Sequence, residues 1–320
     1  MSPPLLELRG LRVGFPAGGA IAEVVRDLDL TVQAGEVVGV VGESGSGKSM
    51  TALAVLRLIS PPGRILGGAI RFSGEDLLGL PEARMRRIRG AAISIVFQDP
   101  MTSLNPAFTV GRQLTDVIVT HQGVDRRTAR ERATEALRLV GIPSPDARLR
   151  DYPHQFSGGM RQRALIAMAI ACRPRLLIAD EPTTALDVTV QAQVIHVLRR
   201  LRDELGLSIV FITHNLDLVA ELCDRAVVMY AGTVVEEAEV ATLFNRPRHP
   251  YTRALIRCVP RLADASGPLT TIEGAPPALG DHPAGCAFAP RCGDVVAQCH
   301  GERPYLRDVE DHRVACWVAK

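Results

Sequence analysis

Gly42-Glu43-Ser44-Gly45-Ser46-Gly47-Lys48-Ser49 is the stretch on which the reading of this chain turns. It follows the β-branched run Glu36-Val37-Val38-Gly39-Val40-Val41 and opens into Ala52-Leu53-Ala54-Val55-Leu56, so it reads as strand, glycine-rich turn, helix. A phosphate-binding loop needs that context. Successive backbone N–H groups can wrap a polyphosphate only where no Cβ intrudes, and the N-terminus of the following helix adds partial positive charge. Gly45 and Gly47 supply the room, in a loop whose candidate ATP-binding residues also include Gly42 and Ser44. Lys48 would reach the outer phosphates as a point charge, and the Ser49 hydroxyl would ligate Mg²⁺. An ordinary strand-to-helix turn is the plain alternative, and the placement between strand and helix argues against it.

Composition bounds what surrounds this loop. At 320 residues the chain can hold one large domain, or a domain with an appendage, and can bury a sizeable core. A hydrophobic share of 47% beside 22% charged residues excludes a disordered chain. Thirty-seven basic against 35 acidic residues leave a net charge of +2, which gives no bulk drive toward nucleic acid. Apolar runs such as residues 164–172 are about half a membrane span. Residues 1–7 lack the basic and apolar regions of a secretory signal, so the expected compartment is the cytoplasm, where thiols stay reduced.

Residues 6–13 alternate as a first strand ending near Phe15 and a Gly18-Gly19 turn, and residues 24–32 alternate as a second. Antiparallel strands therefore precede the phosphate loop. The Phe15 ring either stacks on an adenine or packs as a core aromatic. Downstream come a strand at 69–72, a basic helix around 84–89, and a buried strand at 91–97 that delivers Gln98 at its C-terminal end. Helices follow at about 111–122 and 126–140. Ser157 reads as the N-cap of an apolar helix reaching Cys172, with Gly158 and Gly159 leaving N–H groups open to an anion.

The buried strand from Arg175 ends in Asp180-Glu181. Paired acids at a strand tip fit a division of labour, Asp180 on a Mg²⁺ shell and Glu181 polarising an attacking water. A helix over 190–205 and a further buried strand over 207–213 follow, with His214 at its tip. Strand ends bearing Gln98, Asp180-Glu181 and His214 around one phosphate loop make a candidate catalytic constellation.

In this order the motifs over residues about 5–258 resemble the ATP-binding cassette (ABC) family. The resemblance implies an α/β fold: a P-loop NTPase cassette with a RecA-like core, an antiparallel β subdomain and a helical signature subdomain at about 100–172. It assigns Gly42–Ser49 to Walker A, Gln98 to the Q-loop, Ser157-Gly158-Gly159 to the signature, Asp180 and Glu181 to Walker B, Ala185-Leu186-Asp187 to the D-loop and His214 to the switch. It further implies that two cassettes sandwich two ATP molecules, each signature acting on the partner's nucleotide. Glu181 is then the general base, Gln98 joins the Mg²⁺ and water shell with Ser49 and Asp180, and His214 contacts the γ-phosphate. Met160 stands where many cassettes carry Gln.

Three stretches resemble a narrower group, the ATPase subunits of bacterial dipeptide and oligopeptide importers: residues 98–106, residues 156–163 and Arg248-His249-Pro250-Tyr251-Thr252-Arg253-Ala254-Leu255. This implies a second, related ATPase subunit, two transmembrane permease subunits, an extracytoplasmic peptide-binding protein and a place on the cytoplasmic face of the inner membrane. Nickel and glutathione importers use similar cassettes, and a soluble cassette ATPase acting on DNA or the ribosome is the rival of another class.

From about residue 259 the composition shifts to Pro, Gly and Ala, marking a linker before a cysteine-rich C-terminal region in 259–320. Cys286, Cys292, Cys299 and Cys316 crowd into it, whereas Cys172, Cys223 and Cys258 sit in apolar sequence. Their spacing alone leaves an iron–sulfur cluster, zinc and unliganded thiols open. The family resemblance implies a [4Fe–4S] cluster on the four.

Overall fold

The strands follow the hydrophobic patterning closely at the N-terminus and less so toward the C-terminus. In chain order the first five are β1 (Leu6–Ala17), β2 (Ala20–Val32), β3 (Val37–Val41), β4 (Arg64–Phe72) and β5 (Glu75–Asp76). Then come β6 (Ile93–Val96), β7 (Leu176–Asp180) and β8 (Ser208–Thr213). The last are β9 (Arg225–Tyr230), β10 (Thr233–Glu239), β11 (Arg307–Val309) and β12 (His312–Val314). These come from a computed structural model that describes residues 3–98, 103–184, 186–258, 271–278 and 280–319. Residues 99–102 after the glutamine, Ala185 of the Ala-Leu-Asp turn and the linker segment 259–270 lie outside the described residues.

The chain divides into two compact units. One comprises Met1–Val32, Val38–Leu78 and Thr213–Lys320. Within it β1 and β2 form a hairpin about Gly18 and Gly19, and β4 then β5 add antiparallel on the other side, in the order β2-β1-β4-β5. Both hairpin strands run beyond the alternating stretch, because bulges at Leu8/Leu11 and Leu11/Val13 break the period of two without ending the pairing. Leu6, Leu8, Leu11, Val13, Leu28 and Ile70 are buried along this sheet. Each such side chain removed from water contributes about 1.5–3 kcal/mol.

The same unit contains a second set of strands. β3 runs parallel to β9, β10 folds back antiparallel on β9, and the C-terminal hairpin adds β12 then β11. Charged side chains tie these together. Arg225 pairs with Glu237 and donates to the Thr31 carbonyl at 2.6 Å, and Glu237 also pairs with Arg313 at 3.0 Å. Glu236, fully buried, accepts the backbone N–H of Arg248 at 2.7 Å and of His249 at 2.9 Å, with His312 Nδ1 2.8 Å away.

The other unit comprises Gln33–Val37 and Gly79–Ile212. Here β6, β7 and β8 run parallel, Ile93 opposite Leu176 and Asp180 opposite Ile212. β6 is shorter than the apolar run because the Ala92 carbonyl turns to accept from Arg175 and Leu176. The expected helices are Val110–Gln122 and Arg126–Leu139, capped by Thr109 and Asp125. Gly123 ends the first in the left-handed conformation. The helices Gly158–Ile170 and Val188–Leu205 complete the elements that matter below. No described helix is long and apolar enough to cross a membrane.

Candidate nucleotide site

The phosphate loop lies where strand, loop and helix meet as expected. All five residues of β3 are buried, and the helix Lys48–Val55 starts directly after Gly47. Gly47 is the N-cap at φ 98°, and a Cβ there would fall 2.6 Å from the Val24 carbonyl oxygen, so only glycine fits. Lys48 is buried, its Nζ donating to the carbonyls of Gly42 at 2.8 Å and Glu43 at 2.9 Å. Ser46 is buried beneath the loop, Ser44 and Gly45 are exposed at its tip, and Ser49 is half-buried in the first helical turn. Backbone N–H groups, a lysine charge and a helix N-terminus thus share one loop, which is an anion-binding arrangement.

Phe15 is half-buried on β1 with its ring against Gly63. His214 follows β8 and is exposed, and the next residue, Asn215, caps the helix Leu216–Leu222 by accepting from Asp217 N–H at 2.9 Å.

In the other unit, Asp180 is buried as the last residue of β7 and Glu181 is the first beyond it. Glu181 has φ 47°, a conformation unusual for a residue with a Cβ, and its N–H donates to the Ile212 carbonyl at 2.9 Å. Its carboxylate oxygen Oε2 accepts from Gln98 Nε2 at 2.8 Å and from the Thr184 hydroxyl at 2.8 Å. The Q-loop glutamine and the expected base therefore meet at the ends of neighbouring parallel strands. Sequence reasoning had not picked out Thr184. Its signal was available, since a hydroxyl three residues after an acid in a turn is placed to hydrogen-bond back.

Ser157 caps the helix Gly158–Ile170, its hydroxyl accepting from Met160 N–H at 3.3 Å. Ser157 and Gly158 are exposed, whereas Gly159 is buried against Val190, where a Cβ would come 2.6 Å from Cγ1. Val190 belongs to the helix capped by Asp187, whose carboxylate accepts from Val190 N–H at 2.9 Å. The first turn of the signature helix and the turn carrying Asp187 are thus packed as one piece. Arg163 anchors it further by donating to the Gly141 carbonyl at 2.9 Å, and burial lowers the pKa of that guanidinium.

The cysteine expectation is corrected. Among the described residues no three His, Cys, Asp or Glu side chains converge to hold a metal ion, so the [4Fe–4S] cluster expected on Cys286, Cys292, Cys299 and Cys316 is not supported. Cys299 and Cys316 are buried and the other two are half-buried. Burial raises the pKa of Cys286, Cys292 and Cys316 above the ordinary thiol value. Cys316 packs as a small apolar side chain with Val314 and Ala319.

Comparison with known proteins agrees with the motif order. The family model described as ABC transporter matches residues 25–184, and the one described as oligopeptide/dipeptide transporter, C-terminal region, matches residues 235–299. The dipeptide transport ATP-binding protein DppD of Escherichia coli strain K12 is 49% identical, covering 97% of this chain and 94% of its own. Its Haemophilus influenzae namesake is 46% identical over 98% and 94%. Among solved structures, the dimeric ATP-binding cassette MJ0796 in a post-hydrolysis state bound to ADP and Pi aligns at TM-score 0.66 with 26% identity, covering 73% of this chain and 98% of that one. This chain has the ABC ATPase cassette fold and belongs to the ABC transporter family, in the group of ATP-binding subunits that carry the oligopeptide/dipeptide transporter C-terminal region.

Proposed function

We propose that this chain is the ATP-hydrolysing subunit of an importer that takes up dipeptides or oligopeptides through separate transmembrane permease subunits. The observation that carries the reading is the 49% identity to a dipeptide transport ATP-binding protein, spread over 97% of the chain. In this reading residues 5–258 are the cassette, with the helical subdomain at about 100–172, and 259–320 are a linker and a cysteine-rich C-terminal region. The chain works at the cytoplasmic face of the membrane beside a related second ATPase, and a binding protein outside delivers peptide to the permease.

Each site residue has a part. Gly42, Ser44, Gly45, Gly47 and Lys48 cradle the phosphates, and Phe15 packs on the adenine. The Ser49 hydroxyl in one unit, and the Asp180 carboxylate and Gln98 amide oxygen in the other, are each hard oxygen donors of the kind magnesium prefers, so each fits Mg²⁺ by its chemistry. When bound, the ion neutralises phosphate charge. Glu181 orients and deprotonates the attacking water, helped by the Gln98 and Thr184 bonds that fix its carboxylate. His214 donates to the γ-phosphate. Ser157, Gly158 and Gly159 complete the nucleotide shell of the neighbouring cassette, with Asp187 bracing that interface.

The test is reconstitution. Co-expressed with its permease subunits in proteoliposomes, the chain should hydrolyse Mg·ATP faster when the binding protein and a dipeptide are supplied. ATP turnover that is indifferent to every dipeptide and oligopeptide offered would refute the substrate class.

A further inference from the structure

The second residue of the phosphate loop is held from outside the loop. Glu43 N–H donates to the Tyr251 hydroxyl at 2.9 Å. The Glu43 carboxylate receives both terminal nitrogens of Arg291, Nη1 to Oε2 at 2.7 Å and Nη2 to Oε1 at 3.0 Å. Arg291 lies in the C-terminal region, and its side chain is only 4% exposed. Its other hydrogen bonds run to the Glu273 carbonyl at 3.0 Å, the Ile272 carbonyl at 3.2 Å and the Tyr230 hydroxyl at 3.2 Å. A planar fork satisfied on this many sides cannot swing away without leaving buried donors unpaired.

Aromatic rings pack beside this contact. Phe288 packs edge-on against Tyr230 with ring centres 5.3 Å apart, and Tyr251 lies 5.3 Å from Phe288 and 4.6 Å from Tyr230. Pro276, Pro277 and Ala278 line, together with Glu43, Ser44, Gly45 and Ser46, a cavity of about 240 Å³. On the loop side, the Glu43 carbonyl accepts from Lys48 Nζ. One residue therefore connects the C-terminal region to the lysine of the phosphate loop.

We propose that Arg291 is a positioning residue for nucleotide binding: its two-point grip on Glu43 lets the C-terminal region set the shape of the phosphate loop. The inference rests on the phosphate-loop role assigned above and extends it to a segment 248 residues away in sequence. Arg291 acts through Glu43, so its loss should weaken binding of the ground-state nucleotide more than it slows the chemical step.

The experiment uses the full chain, titrated with Mg·ATP, and the assembled transporter for KM and kcat. Arg291→Ala should raise Kd and KM about tenfold and leave kcat within about twofold. Arg291→Lys should recover little of this, because one ammonium cannot span both carboxylate oxygens. Glu43→Gln should weaken binding by a similar factor, and the double variant should be no worse than either single one. An Arg291→Ala chain that binds within twofold of wild type overturns the proposal, as do losses that multiply in the double variant. If Arg291→Ala does not fold by circular dichroism and gel filtration, Glu43→Gln decides by the same twofold criterion. A wild-type chain that binds no Mg·ATP defeats the proposed function and this inference with it. Normal wild-type binding beside an indifferent Arg291→Ala defeats the inference alone.

Discussion

Gln98 Nε2 donates to Glu181 Oε2 at 2.8 Å, joining two side chains that are 83 residues apart in sequence. The Thr184 hydroxyl donates to the same oxygen, so the two bonds hold the carboxylate in one fixed orientation. Glu181→Gln cannot accept a proton from water. We expect it to lower phosphate release by at least about a hundredfold while Mg·ATP affinity stays within about threefold. Retention of a tenth of wild-type turnover would remove Glu181 from the base role.

Lys48 should behave oppositely. Its ammonium bonds two loop carbonyls and supplies the loop's point charge. Lys48→Ala is expected to weaken Mg·ATP binding by about a hundredfold or more with the far-ultraviolet spectrum unchanged, since a charge-assisted phosphate contact and two carbonyl partners are lost together. Calorimetric titration measures it, and an unchanged Kd would contradict the phosphate-loop assignment.

Gly159 provides a steric test of the packed signature turn. Gly159→Ala gains helix propensity of about 1 kcal/mol but drives its Cβ into Val190 Cγ1. The expected net loss is about 1–2 kcal/mol in urea unfolding, as for other overpacked sites. Val190→Ala in the same chain should restore most of it. A double variant as unstable as Gly159→Ala alone would mean that the two helices do not meet there.

Acid sensitivity should trace to His249. Burial, with Arg253 nearby, pushes its pKa down to about 3 from the ordinary 6.5, and its Nδ1 accepts from Tyr251 N–H at 3.0 Å, a bond only the neutral ring can accept. The unfolded chain takes up a proton below about pH 6.5 that the folded chain refuses. This contribution to stability is therefore full above pH 6.5 and falls as pH drops toward 3, at most about 1.4 kcal/mol per pH unit. Asparagine can still cap the helix Pro250–Arg257. Urea midpoints of wild type and His249→Asn at pH 7, 6 and 5 should converge as pH falls, and parallel curves would assign the sensitivity elsewhere.

The phosphate loop, the parallel strands and the capped helices were legible because their signals are local. Glycines where Cβ is forbidden, β-branched runs and Ser, Thr or Asp before an apolar period all lie within a few residues of what they determine. β10 is masked in the sequence by Glu236 and Glu237. Both are buried in the structure, so polar residues stand where the alternation should show an apolar face. The grip of Tyr251 and Arg291 on Glu43 spans 208 and 248 residues, a distance at which no local pattern carries information. Tyr251 at least lay within a stretch that marked the family. For Arg291 nothing pointed beyond an ordinary surface charge. The cluster expectation failed because counting cysteines and family likeness stood in for geometry, and the described residues do not converge on a metal.

The hairpin of β11 and β12 bears on solubility. β10 is seven residues long, with five of them buried, and β12 covers its open side from Glu236 to Ala238, leaving as outermost strand a β11 of three residues with Arg307 and Asp308 on it. A short charged rim gives a passing chain little to pair with. A protein truncated before residue 303 would present β10 itself as a bare ladder, and such molecules should stack on one another and precipitate even while their phosphate loop remains intact.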